Sequence, residues 1–123
     1  MSSTVGVLLA DDSPVFLAAA ATVVAATPGF ELAATCSCGK QAVEIAASLK
    51  PDLALLDQSM PDVDGARAAR AIAEVSPETF VVVVSADPHQ ACALPLVDKR
   101  SLSPPLLAAL WRRRPAVDSP AAS

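Results

Sequence analysis

Short apolar runs alternate along the chain with segments of helical period, the arrangement expected of a parallel sheet with helices on both faces. Val5–Ala10 reads as a first strand. Ser13-Pro14 then supplies a helix N-cap followed by proline at the first helical position, opening a helix that ends near Thr27-Pro28-Gly29. Phe30–Cys36 reads as a second strand. Lys40–Leu49 reads as a helix with Ala42, Val43, Ala46 and Leu49 on one stripe, stopped at Lys50-Pro51. Leu53–Leu56 is a third strand, and Gly65–Val75 a third helix with Arg67 and Arg70 outward and Ile72 and Val75 inward. Phe80–Val84 is continuously apolar and mostly β-branched, which predicts a central strand buried on both faces. Leu94–Val97 is the last strand expected, and Ser103-Pro104-Pro105 opens a final helix with Leu106, Leu107, Leu110 and Trp111 as its core stripe.

Composition narrows the class. The 123 residues are 53% hydrophobic and 18% charged, enough for one compact domain with an ordinary core and too few for a tandem enzyme or a receptor. The domain is expected over 1–114, with a disordered Pro/Ala/Ser tail over 115–123. A net charge of −4 argues against a general binder of nucleic acid or of membrane surfaces. The one basic run, Arg112-Arg113-Arg114, fits the C-terminus of a helix, whose dipole it complements. Cys36, Cys38 and Cys92 are odd in number and lack zinc spacing, so they read as reduced thiols of a cytoplasmic protein. The N-terminus carries no signal-peptide pattern, and the apolar run Val15–Ala26 is shorter than the ~20 residues that cross a bilayer. His89 and Trp111 read as an exposed loop residue and a packing residue.

The chemistry is concentrated at strand ends, where open α/β sheets bind ligands. The first strand ends in Asp11-Asp12, the third in Asp57, the fourth in Ser85, and the fifth near Lys99. In a sheet of order 2-1-3-4-5 the first and third strands flank the switch point, so Asp11, Asp12 and Asp57 converge with Ser85 and Lys99 beside them. Close carboxylates repel by about 4 kcal/mol per pair at an effective dielectric near 20, so the cluster calls for a counter-charge. Mg2+ fits, because it takes a few carboxylate or carbonyl oxygens and accepts phosphate oxygens as further ligands. Asp57 could then act as a nucleophile toward a phosphoryl group. Taken singly, the same residues also read as a solvated strand end, a loop acid, a turn cap and an edge-blunting lysine.

In their order, Val7-Leu8-Leu9-Ala10-Asp11-Asp12-Ser13-Pro14, then Pro51–Asp57 with Met60-Pro61 and Asp64-Gly65, then Val84-Ser85-Ala86, then Asp98-Lys99, these motifs resemble the receiver domain of two-component response regulators over Val5–Arg113. The resemblance implies a flavodoxin-like, doubly wound α/β fold. It implies Asp57 as phosphoacceptor, Asp12 as a direct metal ligand, Asp11 acting mainly through bound water, and the Ser59 carbonyl completing the Mg2+ shell. Ser85 would be the switch hydroxyl and Lys99 the family's lysine, with Gln58, Ser59 and Asp87 where dephosphorylation is tuned. The implied partners are a sensor histidine kinase or phosphotransfer protein and a downstream protein target. The family also allows a homodimer.

Three departures stand out. Only fourteen positions carry the chain from Ser85 to Lys99, so the family's fourth helix is expected to be truncated or absent. Leu96 stands where many members have an aromatic switch residue, and Arg100 replaces a proline that often follows the lysine. The expected function is a stand-alone, phosphorylation-dependent signalling module, not a turnover enzyme. A pseudo-receiver that binds its partner constitutively is the first competitor. A phosphatase of the haloacid dehalogenase type is the second, although that family needs Asp-x-Asp where this chain has Asp11-Asp12-Ser13.

Overall fold

The computed structural model of the chain describes residues 4–87 and 95–115. Among them, five parallel strands form one sheet in the order β2-β1-β3-β4-β5, with β1 over Val5–Ala10, β2 over Phe30–Cys36, β3 over Leu53–Asp57, β4 over Phe80–Ser85 and β5 over Leu96–Asp98. Four helices, α1 (Pro14–Ala26), α2 (Gly39–Leu49), α3 (Gly65–Val75) and α4 (Pro104–Arg112), cover it, and a 3-10 turn spans Lys99–Ser101. This is the expected doubly wound arrangement.

Alternation along the strands divides the core in two. Val5, Val7, Leu9, Leu53, Leu55, Val82 and Val84 face one way, against Ala20 and Val24 of α1 and Leu107 of α4. Leu8, Ala10, Ala54 and Leu56 face the other, against Ala42 and Ala46 of α2 and Ala68, Ala69 and Ile72 of α3. Small alanines on the second side let α2 and α3 lie close to the sheet. Ser13 and Ser103 cap α1 and α4, each hydroxyl accepting the amide three residues on, with proline next in the chain.

Four expectations change. The middle strand is β3, buried along its whole length, whereas Phe80 and Val81 of β4 are only half-buried. The reason lies in β5, whose three residues pair with Val83–Ser85 and leave the start of β4 without a neighbour on that side. β5 itself lies later than Leu94–Val97, because the pairing Ser85↔Asp98 carries it to the threshold of Lys99, and Leu94 lies outside the described residues. Leu49, placed on the core stripe of its helix, is 54% exposed because α2 ends there as the chain turns at Lys50. In α4 only Leu107 is fully buried; Leu106, Leu110 and Trp111 pack on the rim of the core. Trp111 meets Phe30 edge-on, and the Arg114 guanidinium lies over its indole while donating to its carbonyl.

No α-helix lies between β4 and β5 among the described residues there, Ala86, Asp87 and Pro95; His89 and Cys92 lie outside them, as does the expected tail beyond Pro115. No helix among the described residues is long and apolar enough to cross a membrane.

Two side chains tie loops to helix ends. Asp62, in the loop after β3, accepts the amides of Gly39 and Lys40 at 2.8 Å each and so caps α2 from 22 or more residues away. Those amides hold its carboxyl down at about 2. Lys50, left-handed at φ 47°, caps α2 through its own amide and donates from its ammonium to the carbonyl of Val75 at the end of α3. Gly65 begins α3 directly on the backbone of the β3 end, where an added Cβ would lie 2.8 Å from the Asp57 carbonyl oxygen. Gly65→Ala is therefore expected to destabilise the fold by about 1–3 kcal/mol, measured as a fall in the urea midpoint with unchanged m.

Candidate functional site

Strand register assembles the site. Ala10 is paired with Leu56, so Asp11 and Asp57 leave adjacent strands side by side. Val84 is paired with Asp57, and Ser85 with Asp98, which brings Ser85 and Lys99 to the same end of the sheet. Asp11 and Asp57 are buried, whereas Asp12 is exposed at the mouth. Carboxylate oxygens of Asp11, Asp12 and Asp57 all lie within 4.8 Å of one another.

The Lys99 ammonium sits among them, 2.6 Å from Asp11 Oδ2 and 3.4 Å from Asp57 Oδ1. It is also 4.7 Å from the centroid of the Phe16 ring. The ammonium is the partner of Asp11 Oδ2, while Asp11 Oδ1 accepts the amide of Ser13. Burial raises the Asp57 pKa; the Ser59 amide counters this, Asp11 adds to it, and Lys99 counters it again. Burial would lower the Lys99 pKa, but its contacts with Asp11 and Asp57 outweigh that and raise it. The cleft thus holds a desolvated carboxylate against a firmly charged ammonium.

The donor set fits a hard divalent cation: carboxylate oxygens only, gathered within the span one ion bridges, with one ligand open to water. The Ser85 hydroxyl is buried and engaged with the backbone of Asp87, accepting its amide at 2.9 Å and donating to its carbonyl at 3.0 Å. It is turned along the β4 loop. Gln58 next to Asp57 keeps a buried Oε1 without a hydrogen-bond partner, while its backbone bonds to Val84 and Gly65. Cys36 and Cys38 are free thiols, and burial pushes Cys36 up to about 11, which keeps it protonated and inert at neutral pH.

All the strand-end residues singled out from sequence therefore meet at one end of the sheet. Two contributors were missed. Phe16 lies four residues after Asp12 in the first turn of α1, where helical side chains point back toward the helix N-terminus and hence toward the strand ends; that spacing was the available signal. Asp62 had no local signal, since its partners lie far away in sequence.

The family model described as "Response regulator receiver domain" matches residues 7–99. A "Protein-glutamate methylesterase/protein-glutamine glutaminase 2" of Anaeromyxobacter dehalogenans is 45% identical over 86 residues, covering 69% of this chain and 25% of that protein. A protein of the same name from Methanospirillum hungatei is 36% identical over 81 residues, covering 66% and 23%. The chain thus spans about a quarter of the length of these relatives, and the activities in their names are theirs. Among solved structures, the response regulator domain of Thermotoga maritima CheB superposes with a TM-score of 0.77 at 23% identity, covering 89% of this chain and 95% of that one. The receiver domain of a putative NarL regulator from Mycobacterium tuberculosis gives 0.78 at 25% identity, covering 91% and 99%.

A carboxylate whose folded pKa is raised favours folding while protonated, a contribution fully present below the unfolded value of 3.8 and lost as pH rises through the folded value. Ionised Asp57 therefore costs stability at pH 7. Without divalent ions, Asp57→Asn is expected to raise Tm at pH 7. The gain should shrink toward zero as pH falls to about 4 in thermal melts monitored by circular dichroism.

Proposed function

This chain belongs to the response regulator receiver domain family, and from that premise we propose that it takes a phosphoryl group onto Asp57 and signals by changing what it binds. One observation carries the reading: a buried, desolvated aspartate at the end of the middle strand, flanked by a second buried aspartate and an ammonium. An aspartate there by chance would have no reason to face another carboxylate.

Asp57 is the nucleophile. An oxygen of its carboxylate attacks phosphorus, the bond to the donor nitrogen of a phosphohistidine breaks, and the electron pair leaves with the imidazole. Lys99 balances charge on the transferring oxygens. Asp11, Asp12, Asp57 and the Ser59 carbonyl are the residues that would hold Mg2+, which when bound supplies positive charge and open ligand positions for phosphoryl oxygens. The Ser85 hydroxyl then exchanges Asp87 for the new phosphoryl group, and the β4 loop follows it, shifting a pre-existing equilibrium. The donor is a histidine kinase or a phosphotransfer protein in the cytoplasm, and the output is binding of a downstream protein.

Incubation with acetyl phosphate and Mg2+ followed by intact-mass spectrometry tests this. The protein is expected to gain one phosphoryl group, Asp57→Asn none, and EDTA should abolish the gain. Lys99→Ala should slow it by about 100-fold, the scale for losing one electrostatic donor to the transferring oxygens. An unchanged mass in the parent protein would overturn the proposal in favour of constitutive partner binding. Mg2+ binding, followed by calorimetry, should weaken by about tenfold or more in Asp12→Asn, which removes a ligand charge while leaving the buried pair in place.

A further inference from the structure

We propose that Phe16 is a positioning residue for Lys99, its ring face forming a neutral third seat that keeps the ammonium beside the acceptor when the carboxylates are committed elsewhere. The inference rests on the phosphoacceptor reading of Asp57 and adds a residue and a physical reason to it.

Among the described residues the ammonium meets Asp11 at 2.6 Å, Asp57 at 3.4 Å and the Phe16 ring at 4.7 Å from its centroid. Only the first two are charged, and both are drawn on by the reaction. A divalent cation held by Asp11, Asp12 and Asp57 competes with the ammonium for the same oxygens. Phosphorylation then turns one Asp57 oxygen into the bridging oxygen of an acyl phosphate and moves the negative charge outward onto the phosphoryl oxygens. An ammonium tethered by carboxylates alone would lose its hold once the metal takes those oxygens and before phosphoryl oxygens arrive to receive it, and its long, flexible stem would let it swing into water. The ring is altered by neither event. Its face carries the negative end of the aromatic quadrupole and attracts a cation without binding the metal.

The placement is built into the fold. Phe16 is in the first turn of α1, behind the Ser13 cap, and its amide is the one the Ser13 hydroxyl accepts. Its side chain packs half-buried on the rim of the core, so the ring is held while one face meets the ammonium. The Lys99 side chain is only 17% exposed, a desolvated setting in which a cation over a ring is held more strongly than at an open surface.

The test separates ring electrostatics from ring shape. Fluorinated phenylalanines placed at position 16 keep the shape and progressively withdraw the negative face. Autophosphorylation by acetyl phosphate at saturating Mg2+ should slow stepwise with fluorination, by about three- to tenfold at full fluorination, and Phe16→Leu should slow it to a similar degree. Phe16→Tyr should retain the parent rate. In the metal-free, unphosphorylated protein, the Lys99 ε-methylene protons should resonate upfield through the ring current, and return to ordinary positions in Phe16→Leu. A rate indifferent to fluorination, or a Tyr variant as slow as the Leu variant, would overturn the proposal. If Phe16→Leu does not fold, the fluorinated series and the tyrosine variant decide the matter alone. A parent protein that takes up no phosphoryl group overturns this inference together with the phosphoacceptor reading. A fluorine-independent rate in a protein that does take one up overturns the inference alone.

Discussion

Three carboxylates brought to one end of a parallel sheet cannot stand together without positive charge, and the rest of this molecule is arranged around that constraint. The register of β1 against β3 puts Asp11 abreast of Asp57, and burial removes the water that would otherwise screen them. Lys99 answers part of the repulsion, closest to Asp11 and farther from Asp57. The remainder leaves a cleft whose ionised form costs folding energy. The strain is thus local, chemically specific and of use to the site.

Holding such a cluster requires a stiff frame on the side where it sits. The small side chains of α2 and α3 bring those helices close to the sheet, and Gly65 allows α3 to begin against the carbonyl of Asp57 itself. Asp62 then fastens the loop after β3 to the first turn of α2. β3 is therefore gripped at its end by backbone contacts on one side and by the β4 ladder on the other, through Gln58 and Val84. The opposite edge is lighter. β5 is three residues long, pairs only with the end of β4, and delivers Lys99 through a short 3-10 turn.

That asymmetry bears on how a signal would leave the site. The charge-bearing residues lie at the carboxyl ends of the strands, while only fourteen positions separate Ser85 from Lys99, a span that also has to hold β5. Ser85 is the link between the two regions, since its hydroxyl is held by the backbone of Asp87 in the first turn of that stretch.

Periodicity and capping residues were enough to read the strands and helices from the chain alone, because they are local: Ser13-Pro14, the alternation in β1 and β3, and the β-branched run of β4 each act within a few residues, while the sheet order came from the doubly wound pattern and the family resemblance. The site residues were legible for a related reason, since strand ends are where such sheets present chemistry and charged groups there have few structural uses. The tertiary structure alone decided what depends on distance. The start of β4 is left half-buried because β5 pairs only with Val83–Ser85, and that length follows from pairing across the sheet. Asp62 caps a helix that begins more than twenty residues earlier, and Phe16 meets an ammonium from the far end of the chain. Ionic and aromatic contacts of this kind carry no period in the sequence; they exist only once the folded backbone has brought their partners within a few ångströms.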